Sequence, residues 1–391
     1  MRPLGLVLSI VLVAACASTP TASGPSPSPS PVGIARFAVM VHRAGVGEAY
    51  IVQLVTPDGV RGASIEPISR SDKTFFFSTP CPPNAMCADA ETAAYWLPET
   101  SMSRSRVYYL DGDNDVKSLT TDGSVKWIKN IDAPANSQIM FAVSPDDTRI
   151  AIAVITLATA IHPGASFTEH MYVEDLATTA NRVDLYSSTT LAEWPIAWHA
   201  GSIVVATGTA EIANFDNPYG AAGYVLMDPA GGGVRSTLDC SAGLLVSAGT
   251  ACVSGGCPAT TNCTDATAYR QGWDGAKVSL PLPAGPERHL FTGFSYTQLS
   301  PDGSRLAASV VTDPVSGDTR TEVLENGAVI QTTLSGAPEG WIDHDHLVIS
   351  NADAVFILNV KTGELVPMRS LRTIPSQGVP SFVGMLPEDL G

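Results

Sequence analysis

The sequence predicts an all-β fold built from repeated four-stranded units. Three observations lead to this prediction: short segments rich in β-branched residues, turn clusters of Gly, Asp, Pro and Asn between them, and an internal repeat. Residues 36–41, 151–155, 202–206 and 346–349 are typical of such short strands. No long segment has the 3.6-residue period of an amphipathic helix, so helices should be few.

The composition is that of a globular, acidic chain. Of the 391 residues, 45% are hydrophobic and 15% are charged, whereas a disordered chain has fewer apolar residues and more charge. The net charge of −16 argues against a nucleic acid or an anionic membrane bound through a basic face. After residue 20 no stretch is long and apolar enough to span a bilayer, so we expect a soluble body.

Two segments repeat almost literally, Ser144-Pro-Asp-Asp-Thr-Arg-Ile-Ala-Ile152 and Ser300-Pro-Asp-Gly-Ser-Arg-Leu-Ala-Ala308. Each predicts a turn followed by a strand. Proline presets φ for the turn, Asp can accept a hydrogen bond from the backbone two residues on, and Gly accepts a positive φ. Weaker copies with the same order of turn and apolar strand begin at residues 105, 200, 241 and 344.

The strands that follow these turns recur at the spacing of a propeller blade. From Val107 to Leu347 there are 240 positions in five steps, an average of roughly 48. Seven units of four strands account for the chain from about residue 34, and six or eight units stay open. The sequence therefore predicts a single β-propeller. The first apolar residues of the marked strands are Phe37, Val107, Ile150, Ile203, Leu244, Leu306 and Leu347.

The repeat over residues 300–307 resembles that of TolB-like and WD-repeat-like bacterial β-propellers. Residues 340–349 and 359–363 resemble another blade of this kind. The resemblance implies the propeller fold. It implies no particular activity, because this repeat scaffolds many unrelated functions.

The first sixteen residues have the layout of a bacterial export signal. Arg2 supplies a positive n-region, and residues 4–13 form an apolar h-region. Val13-Ala14-Ala15-Cys16 resembles a lipobox, which implies that Cys16 is thioether-linked to diacylglycerol and becomes an acylated N-terminus. The alternative is an ordinary signal peptide cut after Ala17, since residues 15–17 also read as A-x-A.

We accordingly predict three parts: a lipoprotein signal peptide over residues 1–15, a linker with the acylated cysteine over 16–33, and the propeller over 34–391. The linker is rich in Pro and Ser, which favours extended polyproline II, and it could hold a domain up to about 50 Å from a bilayer. This organisation predicts an extracytoplasmic protein anchored by lipid to the bacterial cell membrane. Which leaflet holds the anchor stays open.

Six further cysteines form an even set, which predicts disulfides in an exported chain. One couple looks like a self-closed loop, and the other four cysteines allow three pairings. A metal site is disfavoured, because there is no C-x-x-C pair and no histidine beside the cluster. The couple is Cys81 and Cys87, and the four are Cys240, Cys252, Cys257 and Cys263.

No motif indicates a catalytic centre or a cofactor. There is no G-x-S-x-G elbow, no P-loop and no dinucleotide fingerprint, so we predict no catalytic residue and no cofactor. Asp111, Asp113 and Asp115 imitate the start of a calcium loop, but Val116 stands where the bend needs glycine. An acidic turn between strands is the favoured interpretation.

Three tryptophans, Trp194, Trp198 and Trp341, are weak candidates for a binding surface, because an exposed set could stack on sugars or anchor a peptide. Packing between blades is the favoured interpretation.

The main functional hypothesis is a non-catalytic binding or scaffold module for a protein, peptide or glycan partner at the cell envelope. The alternative is a propeller enzyme, of hydrolase, lyase or quinoprotein-like type, with its site in the central channel. A third hypothesis, by analogy with TolB, is an assembly role in an envelope complex.

Overall fold

The computed structural model is an all-β propeller of seven four-stranded antiparallel sheets. The structure describes residues 35–43, 49–65, 68, 100–157, 167–209, 221, 223–240, 242–256, 264–283, 297–313, 318–333, 335–373, 379–388 and 390. Over these ranges every regular element is a strand, and none is a helix long and apolar enough to cross a membrane. The predicted fold class and the count of seven blades are confirmed.

The strands follow one another in chain order without interruption by helices. The first fourteen are β1 (Phe37–Arg43), β2 (Tyr50–Val55), β3 (Arg61–Ser64), β4 (Thr100–Met102), β5 (Arg106–Asp111), β6 (Asp115–Thr120), β7 (Val125–Asn130), β8 (Ser137–Val143), β9 (Arg149–Leu157), β10 (Phe167–Asp175), β11 (Val183–Ser188), β12 (Leu191–His199), β13 (Ser202–Thr209) and β14 (Gly223–Met227). The others are β15 (Val234–Leu238), β16 (Ala242–Val246), β17 (Gly249–Gly256), β18 (Thr264–Gln271), β19 (Lys277–Leu280), β20 (Thr297–Leu299), β21 (Arg305–Asp313), β22 (Asp318–Glu325), β23 (Ala328–Thr332), β24 (Ala337–Trp341), β25 (His346–Ser350), β26 (Val355–Asn359), β27 (Leu365–Pro367) and β28 (Ser381–Leu386).

Each blade uses four strands, and blade 1 closes the ring. In that blade β28 pairs with β1, so the last strand supplies the innermost position beside the first three. Blades 2 to 7 then take β4–β7, β8–β11, β12–β15, β16–β19, β20–β23 and β24–β27 in order. Innermost strands of adjacent blades, such as β4 with β8 and β20 with β24, contact each other around the axis. The radial arrangement leaves only short, protected sheet edges at the centre.

Burial falls from the centre of each blade to its rim. Every residue of β8 is buried, whereas β7 and β15 at the rim are mostly exposed. Neighbouring blades cover both faces of the inner strands, so these strands carry buried apolar runs instead of strict alternation. This explains the unbroken apolar runs that stand out in the sequence.

The literal repeat forms the hairpin that joins the innermost strand to the second strand. In blade 3 the Ser144 N–H donates to the Arg149 carbonyl at 2.9 Å, and in blade 6 the Ser300 N–H donates to the Arg305 carbonyl at 2.9 Å. Asp147 and Gly303 occupy the same turn position with φ of 59° and 74°. Of the five residues in each of these turns, the one at this position alone has a left-handed backbone, which glycine adopts without strain.

Blade 5 departs from the pattern of the other blades. Leu244 lies on β16, the innermost strand, whereas the other six marked residues lie on second strands. The hairpin of this blade is only two residues long, at residues 247–248, and it lacks the Ser-Pro-Asp signature. An apolar run on the innermost strand therefore resembled the usual second strand.

Two ends of the propeller can now be distinguished. At the hairpin end the innermost strands finish, as at Ser103, Ser144 and Ser300. At the connection end they begin, as at Thr100 and Ser137.

Candidate functional site

Two of the seven cysteines, Cys240 and Cys252, lie in the described ranges. Cys240 is bonded to Cys252, with 5.6 Å between their Cα atoms. The bond ties the link before β16 to the second strand of blade 5, β17. It selects one of the three pairings and leaves Cys257 and Cys263 as the remaining couple. These two, with Cys16, Cys81 and Cys87, lie outside the described residues.

The acidic turn of blade 2 uses its carboxylates within the protein. Asp111 is ion-paired with Lys117, and Asp115 accepts from the Trp127 indole N–H at 3.2 Å. Asp113 lies in the turn between β5 and β6. Over the part of the chain that the structure describes, no group of three or more His, Cys, Asp or Glu side chains is arranged to hold a metal ion.

The three candidate tryptophans lie on innermost strands and are buried. The Trp198 indole N–H donates to the Ala142 carbonyl of blade 3 at 3.1 Å, and the Trp341 indole N–H donates to the Gln298 carbonyl of blade 6 at 3.2 Å. Trp194 belongs to the same core cluster as Trp198. Their positions support packing between blades and correct the idea of an exposed binding set, because both faces of an innermost strand are covered.

Buried polar side chains collect where the innermost strands begin. Such residues are costly in a core unless a partner satisfies them, so their repetition from blade to blade is informative. The fully buried members are Thr100 and Ser101 on β4, Ser137 and Gln138 on β8, Glu193 on β12, and Thr297 and Gln298 on β20.

Two glutamates meet between blades 3 and 4 at this end. Glu169 lies on β10 in one cross-strand row with Ile155 and Gln138, so these three side chains share the face that packs on blade 4. Both carboxylate oxygens of Glu169 accept from the Glu193 backbone N–H, at 3.1 and 2.9 Å. Glu169 is 2% exposed and Glu193 is 8% exposed.

The environment makes this pair retain a proton. The pKa of Glu169 is raised to about 8, because burial outweighs the hydrogen bond from the Glu193 N–H and the charge of Glu193 adds to the rise. Burial also raises the pKa of Glu193. Burial therefore disfavours ionisation of both carboxyl groups, and groups with raised pKa values of this kind are used in general acid–base chemistry.

Acceptor oxygens beside the pair have no donor among the described residues. They are Oε2 of Glu193 and Oε1 of Gln138, and in blade 6 the buried Oγ1 of Thr297 likewise has no partner there. Buried acceptors of this kind are normally satisfied by water or by a ligand. Glu193 and Gln138, at the same end of the propeller as Glu169, can thus each accept a hydrogen bond from a donor such as water.

No sequence motif marks this cluster. Glu169 and Glu193 are 24 positions apart and belong to different blades. The available signal is local: Glu193 interrupts the otherwise apolar strand Leu191–His199. A charged residue inside such a strand indicates a special environment, but the identity of its neighbour depends on how the blades pack.

The chain resembles known proteins in fold. No family model matches it, and no curated protein sequence is similar to it. Similar solved structures include a puromycin-hydrolyzing peptidase of Mycobacterium tuberculosis, at 13% identity and a TM-score of 0.44. Dipeptidyl peptidase 4 of Porphyromonas gingivalis is 9% identical with a TM-score of 0.44, and the Dos1 propeller is 9% identical with a TM-score of 0.41.

These matches cover 88%, 84% and 86% of this chain, respectively. They cover 54% and 59% of the two peptidases, so the chain spans little more than half of their length. They cover 88% of the Dos1 propeller. At these identities the likeness is one of fold.

The comparisons contradict the main functional hypothesis, that of a non-catalytic binding or scaffold module. The finding is that several of the similar solved structures are peptidases, and at these identities and TM-scores they show the fold alone. The prediction that the chain is not an enzyme is not confirmed, and the matches transfer no catalytic residue.

Proposed function

We propose that this propeller is a hydrolase in which Glu169 and Glu193 act as a general acid–base pair. The observation that carries the proposal is the meeting of two buried glutamates from adjacent blades beside acceptors without a protein donor. Glu193 lies on an innermost strand beside the central channel at the connection end, and Glu169 lies on the third strand of blade 3.

The proposed roles follow from the two environments. A water bound by Oε2 of Glu193 and Oε1 of Gln138 would lose its proton to the Glu193 carboxylate as it attacks the scissile bond. Glu169, whose burial raises its pKa to about 8, would give its proton to the leaving group. The net charge of −16 disfavours polyanionic substrates and suits neutral or cationic ones.

The test is an assay of the full secreted chain on chromogenic peptide anilides, esters and neutral glycosides, before and after Glu169→Gln and Glu193→Gln. Each substitution should lower kcat by about 100-fold or more, because it removes a proton-transfer group without changing side-chain volume. Asp184→Asn on β11 is the matched control, since its side chain is 67% exposed, and it should leave kcat unchanged. Full activity in both glutamine variants would exclude the proposed pair.

We also propose that the chain acts outside the cytoplasm, anchored to the bacterial membrane through Cys16, with residues 1–15 removed and residues 16–33 as the tether. The lipobox and the Pro/Ser-rich linker support this proposal. Metabolic labelling with palmitate should mark the wild-type chain, and Cys16→Ala should abolish the label and release the chain from membranes. Equal labelling of both chains would contradict the anchor.

A further inference from the structure

The segment after β28 leaves blade 1 and runs along the hairpin end of the propeller. The Glu388 N–H donates to the Ser103 carbonyl of blade 2 at 3.0 Å. Leu390 is 6% exposed and belongs to the core cluster that contains Trp198 of blade 4 and Leu245 of blade 5. The segment thus contacts blade 2 and then buries an apolar side chain beside blades 4 and 5.

This path crosses the end of the channel. Blades 1 and 4 are three positions apart in a ring of seven, so their innermost strands lie nearly opposite each other. From Leu386 to Leu390 the chain can reach at most about 14 Å. A span that short can join the two strands only near the axis, not around the outside of the ring.

The far end of the segment is anchored by a side chain that is itself held in place. Nδ1 of His199, at the end of β12, is hydrogen-bonded to the Leu390 carbonyl. The His199 ring stacks on Trp273 with 4.3 Å between ring centroids. The Trp273 indole N–H donates to the Val246 and Ser247 carbonyls at 3.1 and 3.0 Å, so blade 5 holds the stack.

We propose that Pro387, Glu388 and Leu390 form a plug that closes the central channel at the hairpin end. Passage through the channel is then blocked at the hairpin end, opposite the connection end where Gln138 and Glu193 lie. If the pair is catalytic as proposed above, substrate and product share the connection end, and no polymer can be threaded through. The plug itself does not depend on catalysis and can be tested without activity.

The labelling rate of a cysteine introduced beneath the plug measures whether the plug is closed. Ala197 lies two positions before His199 on β12, so the two side chains share a face of the strand, and both Ala197 and Leu390 belong to one core cluster. The reaction of an Ala197→Cys chain with a small methanethiosulfonate should be slow. Adding Leu390→Ser should speed it by about tenfold, because local opening controls access to a buried group. Leu390→Val should restore protection.

Ser137→Cys, at the opposite end, is the matched control, since its labelling should not change with Leu390→Ser. If the rate at position 197 stays the same while circular dichroism shows a folded chain, the plug is excluded. An equal rise at positions 197 and 137 indicates general loosening and also overturns it. If Leu390→Ser does not fold, Glu388→Pro removes the N–H that bonds Ser103 and should give the same selective rise at position 197.

Discussion

At the hairpin end, links between paired strands are two to seven residues long, whereas at the connection end they reach 35 residues, over residues 65–99. Two of the short links, in blades 3 and 6, share one chemistry, in which a serine and an aspartate satisfy the turn backbone. Among the described residues, the buried polar side chains at the connection end differ from blade to blade. The repeat therefore supplies stability at one end and leaves the other end free to vary.

At the two ends, the pKa values of Asp302 and Glu169 are shifted in opposite directions. At the hairpin end, burial disfavours ionisation of Asp302, but hydrogen bonds from Ser304 and Ser300, together with His344, outweigh it and lower the pKa to about 2. At the connection end, burial raises the pKa of Glu169 to about 8. A fully satisfied carboxylate is structural, whereas a carboxyl that keeps its proton is available for chemistry.

The largest effect on stability is expected at the disulfide. Replacing Cys240 and Cys252 together by alanine should lower the free energy of unfolding by about 3 kcal/mol, because the bond closes a short loop in the unfolded chain. Urea unfolding of the two chains measures the difference. Reducing agent should weaken the wild-type chain more than the double variant. A loss below about 0.5 kcal/mol would show that the connection end does not depend on this bond.

Arg305 is expected to have the next largest effect. Its guanidinium, 10% exposed, bonds Glu325 at 3.0 Å and the His344 carbonyl at 2.7 Å, and so joins blade 6 to blade 7. Arg305→Met should cost about 2 kcal/mol, because the partners lose a buried donor. Arg182→Met is the control: Arg182 pairs with Asp184 on the surface and should cost less than about 0.5 kcal/mol. Equal losses would contradict a special role for the hairpin end.

The carboxyl groups predict opposite pH responses. Folding raises the pKa of Glu169 from 4.5 to about 8. The contribution of this group to stability is therefore fully present below pH 4.5 and is lost as the pH rises through 8. Glu169→Gln should therefore be close to neutral near pH 4.5 and should stabilise the chain relative to wild type at pH 8. Thermal unfolding at the two pH values measures this, with Asp184→Asn as the control. A loss of stability at pH 8 would show that Glu169 is ionised in the fold.

Substitution of Asp302 should show the opposite dependence of stability on pH. Its pKa is lowered from 3.8 to about 2, so its contribution is present above pH 3.8 and lost as pH falls through 2. Asp302→Asn should weaken the chain at neutral pH, and the difference from wild type should shrink in acid. A constant difference across that range would contradict the contribution of the charged form.

The smallest effects are expected from single turn hydroxyls. The Oγ atoms of Ser144 and Ser300 accept from the Arg149 and Arg305 N–H groups, each at 2.9 Å. Alanine at either serine should cost about 1 kcal/mol, the worth of one hydrogen bond whose donor is left inside the turn. Ser304→Ala, in an exposed part of the same turn, should cost only a few tenths. Similar values for the two serines would confirm that the repeat copies are energetically equivalent.

Local chemistry made the blade count predictable. A Ser-Pro-Asp turn is favoured by interactions among five or six neighbouring residues, so it can be recognised wherever it recurs. Blade 5 shows the limit of this reasoning. Its hairpin has no such turn, and the apolar strand around Leu244 looks the same whether it is innermost or second, since both positions are buried.

The sequence by itself determined the all-β class, the repeat, the hairpins and an even set of cysteines, because these depend on residues close together in the chain. Tertiary structure decided the pairing of Cys240 with Cys252, the burial of Trp194, Trp198 and Trp341, and the meeting of Glu169 with Glu193. Each depends on which blades become neighbours when the ring closes. Ring closure also brings Leu390 beside His199, a contact between residues 191 positions apart that no local pattern specifies.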